Sequence, residues 1–299
     1  MRRGYVLVVA GALLAAMVSV VAPAVSAEPE CAAQVAVRAV TLTVDGEAAT
    51  GRVYEPSRCG GGDFEPTDLV VAVHGHDGSS ADYAGYLTSI SRRTGTPVLS
   101  MDARSADSVW RTGDWNLWAG WRDIVAAHGP RGLFDYRVDN YGPADDFTMW
   151  LASASVDPAL PAQIERDAGG CPPVVCPQAY VERSPALVAG RMDVRRAFLI
   201  HGTGDDVVPY PATLEMRAGL LAAGKPTSMY TIVTGHDLNG AVVPGDHSVG
   251  PAFFEGGCVV ERLLLGTEPT DGPDRDYLVD VAHGIATGPA TPPNAKCAA

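Results

Sequence analysis

Strand-like and helix-like stretches alternate along most of the 299 residues, and this alternation limits the fold more than any other feature. Short apolar runs at 69–74, 97–101 and 197–201 are typical of strands buried on both faces of a parallel sheet. Segments of helical period at 81–94 and 211–223 lie next to them in the chain. The sequence therefore predicts an α/β protein, with a mostly parallel sheet and helices on both faces.

Further segments extend the pattern on both sides. Strands are expected at 37–44, 133–138 and 228–233, and helices at 114–127 and 253–265. The Pro- and Gly-rich tail after the last helix is expected to wrap the surface.

The N-terminus has the pattern of an export leader. Arg2 and Arg3 precede an apolar run from Tyr5 to Val21, and the small-residue sequence of 24–27 follows as a cleavage site. A membrane anchor that stays attached is the alternative, but the run is short for a spanning helix. We expect residues 1–27 to be removed and residues 28–299 to be secreted as one soluble domain, without stable membrane insertion.

Charge narrows the range of partners. The formal net charge is −13, and loss of Arg2 and Arg3 with the leader makes it −15. Nucleic acids and anionic membrane surfaces are therefore poor partners. The sequence makes no prediction about the oligomeric state.

All six cysteines follow the expected cleavage point, and an even count in an exported chain favours disulfides. A metal site is the rival interpretation, but the chain has no C-x-x-C pair. We expect no metal and no cofactor. A stapled loop or small cap is expected at about 157–185. Neighbouring cysteines are expected to pair: Cys31 with Cys59, Cys171 with Cys176, and Cys258 with Cys297.

Two of the buried-type strands end in His-Gly. After the first, a Gly-rich turn leads towards a helix, and the backbone N–H groups of His76 and Asp77 are candidates for holding an oxyanion. His74 would then be structural, and the alternative is an ordinary strand-to-helix turn. The second strand ends at His201 and Gly202, and Asp205 follows at a position from which a carboxylate can orient a histidine. The adjacent Asp206 is the second choice.

The region from Tyr180 to His236 resembles the C-terminal half of prolyl-oligopeptidase-like and dienelactone-hydrolase-like α/β-hydrolases. The block from His201 to Pro209 is similar to their acid loop, which implies that Asp205 is the catalytic acid. His236 falls where the family places its catalytic histidine and is the preferred base. His247, later in the same loop, is the alternative. With the first His-Gly turn included, the resemblance covers about 37–265.

The family's nucleophile is not recognisable. A serine hydrolase of this fold carries it on a strand-to-helix turn written G-x-S-x-G, and the sequence contains neither that string nor its cysteine counterpart. The helix at 114–127 runs directly into the strand at 133–138, so one central strand–elbow–helix unit of about 30 residues is expected to be missing. An internally deleted or mis-assembled hydrolase gene is the interpretation we favour.

These features predict a secreted hydrolase of the esterase or peptidase type that acts on an ester or amide bond of a small substrate. In that mechanism Asp205 orients the histidine, which takes a proton from a serine and returns it to the leaving group. Two alternatives stay open. One is a non-catalytic relative that binds an ester-like or peptide ligand, and the other is a structural secreted protein with a vestigial site.

Overall fold

The computed structural model describes residues 5–10, 34–44, 47–57, 68–74, 78–102, 134–155, 157–192, 194–248 and 250–289. These residues form eleven strands in one sheet. The strands are β1 (Tyr5–Ala10), β2 (Val35–Val44), β3 (Glu47–Pro56), β4 (Leu69–Val73), β5 (Val98–Met101), β6 (Tyr136–Asn140), β7 (Arg196–Gly202), β8 (Thr227–His236), β9 (Val242–Pro244), β10 (Arg275–Asp280) and β11 (Ile285–Ala286).

Six α-helices are seen in the described ranges. They are α1 (Ala84–Thr94), α2 (Asp146–Ser153), α3 (Leu160–Asp167), α4 (Pro177–Arg183), α5 (Tyr210–Ala222) and α6 (Pro251–Leu264). The cap-like region expected at 157–185 thus contains two short helices, joined by a turn that the Cys171–Cys176 disulfide closes.

The strand order is β11-β10-β8-β7-β6-β1-β4-β5-β3-β2, and β9 pairs with the end of β8. All pairings from β10 through β5 are parallel, and antiparallel partners lie only at the edges and at β9. Every residue of β5, β6 and β7 is buried, as expected for strands that helices cover on both sides. The predicted α/β class is confirmed.

Alternate residues of the central strands enter separate cores. Phe198 and Ile200 of β7 pack in the cluster that includes residues of α1 and α6. Ala197 and Leu199, on the other face, pack with residues of α5. This two-sided burial fixes the register of β7 and therefore the position of the turn that follows it.

The centre of the sheet departs from the expectation of a missing strand. β1 lies between β4 and β6 and pairs with both in parallel, with Val6 opposite Val70 and Tyr136. The position expected to be vacant is therefore filled from the segment that was expected to be a leader. No strand between β5 and β6 is described, and residues 103–133, where the elbow unit was sought, lie outside the described residues.

The C-terminal part also departs from expectation. Residues predicted to wrap the surface instead form β10, which extends the sheet by parallel pairing with β8. A buried guanidinium attaches this region to the start of β7. Arg196 is fully buried, and its three nitrogens donate to five oxygen atoms, which belong to Thr270, Thr227, Ser228, Gly272 and Pro273.

Candidate active site

Asp205 lies in the tight turn that follows β7. Its Oδ1 accepts the backbone N–H groups of Val207 and Val208, at 2.9 and 2.8 Å. The side chain is fully buried, and these bonds fix the carboxylate at the carboxyl edge of the sheet. The next residue, Asp206, is exposed to solvent and not buried in the turn.

His247 is the histidine that the structure brings to Asp205. Its Nδ1 lies 2.8 Å from Oδ2 and 3.0 Å from Oδ1 of the carboxylate. Since an ionised carboxylate only accepts, Nδ1 carries the proton and Nε2 is left as an acceptor. Nε2 makes no hydrogen bond to any of the described residues. The pair has the geometry of an oriented general base.

His236, the preferred base of the sequence analysis, lies elsewhere. It is the last residue of β8, and its Nδ1 contacts the carbonyl oxygen of Gly240 at 3.1 Å. β8 runs three residues beyond its predicted end because β9 pairs with it, with His236 opposite Val242. The imidazole thereby lies in a hairpin and makes no hydrogen bond to Asp205.

Two glycines allow the loops that carry Asp205 and His247 to meet. A Cβ at Gly202 would lie 2.1 Å from the carbonyl oxygen of Gly245, and one at Gly245 would lie 2.2 Å from that of Ile232. The N–H of Gly204 donates to the same Gly245 carbonyl at 2.8 Å. Only glycine permits this approach of the two backbones, and it places His247 two residues later beside Asp205.

A second histidine also contacts the Asp205 carboxylate. Nε2 of the buried His201 lies 2.8 Å from the carbonyl oxygen of Val208 and 3.2 Å from Oδ2 of Asp205. Both are acceptors, so Nε2 carries the proton, and Nδ1 faces the hydroxyl of Thr213. Burial raises the pKa of the Asp205 carboxyl. Hydrogen bonds from His201 and His247, the charge of His247 and the Val208 N–H outweigh that effect and hold the pKa well below its usual range.

Of the other residues predicted for the site, some are described and some lie outside the described residues. His74 is buried at the end of β4, whereas His76 and Asp77, the oxyanion candidates, lie outside the described residues. Two serines at the end of α2 donate to helix carbonyls: Ser153 to Trp150 and Ser155 to Ala152. No hydroxyl in the described ranges hydrogen-bonds to His247.

The cysteines follow the predicted pairing as far as they are described. Cys171 and Cys176 form a disulfide, with their Cα atoms 6.1 Å apart. Cys258 is also disulfide-bonded. Its expected partner Cys297 and the expected pair Cys31 and Cys59 lie outside the described residues.

Two solved structures superpose on most of this chain. The acylaminoacyl peptidase of Pyrococcus horikoshii superposes with a TM-score of 0.58 over 81% of this chain and 43% of its own length, at 14% identity. A puromycin-hydrolysing peptidase of Mycobacterium tuberculosis gives a TM-score of 0.58 over 83% and 42%, at 19% identity. The chain has the α/β-hydrolase fold.

This is the fold that the resemblance at 180–236 implied. The chain spans less than half the length of either peptidase. No protein-family model and no curated protein sequence matches it.

None of the helices in the described ranges combines the length and hydropathy needed to cross a bilayer. Those same ranges contain no group of three or more His, Cys, Asp or Glu side chains arranged to bind a metal ion.

Proposed function

We propose that the chain is a hydrolase of ester or amide bonds in which His247 is the base and Asp205 the acid that orients it. One observation carries this proposal: the 2.8 Å contact between Nδ1 of His247 and the buried carboxylate, which leaves Nε2 as a proton acceptor. The acid was the first choice from the sequence, and the base is the second of its two candidates.

The chemistry follows from the two ring nitrogens. Nε2 takes the proton of the attacking oxygen as that oxygen bonds to the carbonyl carbon of the substrate. The imidazolium that forms keeps its Nδ1 proton directed at Asp205, whose negative charge stabilises it. The same proton then passes from Nε2 to the leaving alcohol or amine as the scissile bond breaks, and the base returns to its neutral form.

Small, uncharged esters or peptides are the substrate class that we propose. The strongly acidic chain disfavours polyanions. The two peptidases described above share the fold, and one of them is a puromycin-hydrolysing peptidase. The proposal extends only the bond class, ester or amide, to this chain.

The attacking oxygen is the open part of the mechanism. In this fold the nucleophile follows the central strand, which here is β1. The residues after Ala10 are Gly11, Ala12 and Leu13, and the first serine beyond them is Ser19. A serine at 105 or 108, or a water molecule activated directly by His247, is the remaining source of the oxygen.

The test combines a fluorophosphonate probe with p-nitrophenyl acetate hydrolysis. Covalent labelling of a serine identifies a nucleophile, whereas ester hydrolysis without labelling identifies water as the attacking group. His247→Gln is expected to abolish either activity. His236→Gln is the matched control, because that imidazole contacts the Gly240 carbonyl and the Phe254 ring and makes no hydrogen bond to Asp205, and it is expected to retain full activity. Activity that survives His247→Gln refutes the assignment.

A non-catalytic binding protein is the second candidate, and one observation favours it. Neither a serine nor a cysteine follows β1 within the span of a tight turn. In that case neither labelling nor turnover is observed, and a slowly hydrolysed ester analogue still raises the melting temperature of the protein. His247→Gln would weaken that stabilisation, because Nε2 would no longer accept a hydrogen bond from the ligand.

Secretion remains part of the proposal. It is supported by the basic start, the apolar run and the small-residue site at 24–27. The disulfide between Cys171 and Cys176 also favours an oxidising compartment. Cleavage after residue 27 would remove β1, so a secreted chain that keeps this sheet must retain its first residues.

A further inference from the structure

Tyr141, the residue directly after β6, has an unusual backbone conformation. Its φ is +43°, and it is the one non-glycine residue in the described ranges with positive φ. Bulky side chains rarely adopt this region, and such outliers cluster at functional sites. The outlier lies at the same sheet edge as Asp205, because β6 and β7 are parallel neighbours.

Buried polar groups hold this turn in place. The N–H of Tyr141 donates to the carbonyl oxygen of Ile200 at 2.9 Å, which ties the turn to β7. The N–H of Gly142 donates to Oδ1 of Asp139 at 3.0 Å, and a Cβ at Gly142 would lie 2.4 Å from that oxygen. Asp139 is itself paired with Arg137 at 2.8 Å. These contacts fix the direction of the Tyr141 side chain.

The turn aims the Tyr141 ring at the candidate base. The ring centroids of Tyr141 and His247 are 4.5 Å apart, with the planes inclined by 48°. The Tyr141 hydroxyl donates to the carbonyl oxygen of Ser248, the next residue, at 3.4 Å. Phe253 of α6 packs against the same ring at 5.6 Å, and Tyr141 is almost fully buried.

We propose that Tyr141 is a positioning residue that holds the imidazole of His247 against Asp205. The inference rests on the proposed function, since it concerns the same acid–base pair. Asp205 fixes one edge of the imidazole through Nδ1, and a single hydrogen bond leaves the ring free to tilt about it. The Tyr141 ring restricts that tilt from the face, and its hydroxyl restrains the backbone of the loop that carries the imidazole.

The hydroxyl is suited to this role at any working pH. Burial raises the pKa of Tyr141 far above its usual range, and the charge of Asp205 adds to the effect. The phenol therefore keeps its proton and continues to donate to the Ser248 carbonyl.

The test follows the Nδ1 proton of His247 by NMR. A proton shared with a buried carboxylate resonates far downfield, and its absence in His247→Gln assigns it. We expect Tyr141→Leu to speed its exchange with water about fivefold, which is the size of effect typical of one lost aromatic contact. Tyr141→Phe keeps the ring and is expected to restore most of the protection.

Tyr180→Leu is the matched control, because Tyr180 is equally buried and its hydroxyl donates to the Cys171 carbonyl, with no contact to His247. Unchanged exchange in Tyr141→Leu, or equal acceleration in Tyr180→Leu, would overturn the inference in favour of simple core filling. Should the leucine variant not fold, Tyr141→Met carries the same expectation. The readout needs no substrate, so an inactive protein with the expected NMR result refutes the proposed function and leaves this inference standing.

Discussion

Replacement of Asp205 by Asn tests the site through stability as well as chemistry. The two carboxylate oxygens accept from two backbone N–H groups, from Nδ1 of His247 and from Nε2 of His201. An amide supplies one acceptor and one donor, so its NH₂ group would face a histidine N–H. Charge-assisted bonds contribute about 1.5–3 kcal/mol each, and breaking a buried pair costs about 3–5 kcal/mol.

We therefore expect the free energy of unfolding at pH 7 to fall by about 3 kcal/mol in Asp205→Asn. For a chain of this size, that corresponds to a decrease in melting temperature of about 6–12 °C. The exposed neighbour gives the matched control, and Asp206→Asn should change stability by less than about 0.5 kcal/mol. Urea denaturation of the three proteins measures both differences.

The pH dependence has a definite sign. The folded-state pKa of Asp205 lies below the unfolded value of about 3.9. Its contribution is therefore complete above the unfolded value and is lost as the pH falls through the folded value. The difference between the native protein and Asp205→Asn should be constant from pH 7 to 5 and shrink at pH 3. A difference that stays the same at pH 3, or one below 1 kcal/mol at pH 7, would refute the account of a donor-stabilised carboxylate.

Three further predictions concern the framework around the site. Arg196→Met removes a buried guanidinium with five hydrogen bonds and should lower the free energy of unfolding by about 3–5 kcal/mol. Arg195→Met, at an exposed ion pair, should lower it by less than about 1 kcal/mol. Urea denaturation measures both changes. Gly245→Ala forces a Cβ to within 2.2 Å of a carbonyl oxygen, so it should destabilise the fold and abolish ester hydrolysis. Gly85→Ala has open space at its Cβ and should be neutral or stabilising by about 0.5–1 kcal/mol in a thermal melt. Deletion of residues 1–27 removes β1 and should abolish cooperative unfolding by circular dichroism; a deletion variant that melts as sharply as the full chain would show that the sheet does not need this strand.

The acid turn was predictable because residues adjacent in the sequence specify it. A buried strand ending in His201 and Gly202, with Asp205 three residues later, specifies both the strand and the turn. The same holds for the predicted disulfide between Cys171 and Cys176, which closes a loop of only a few residues.

The elements that sequence reasoning missed depend on partners far along the chain. His236 was preferred because the resemblance places the base directly after the last strand, but pairing with β9 extends β8 to this histidine, which makes no hydrogen bond to Asp205. β10 alternates only weakly in burial and is specified by its pairing with β8. Tyr141 carried no recognisable motif, since its significance lies in a backbone angle and a ring contact.

The position of β1 sets an order of events for this molecule. β1 is synthesised well before the two strands on either side of it, at 69–73 and 136–140. Such long-range parallel pairing slows folding and leaves the apolar β1 segment unpaired until its neighbours are made. Under the proposed secretion, recognition of this segment as a leader and its pairing in the sheet would compete for the same few residues. Which of the two events comes first decides whether the sheet is continuous or divided at its middle.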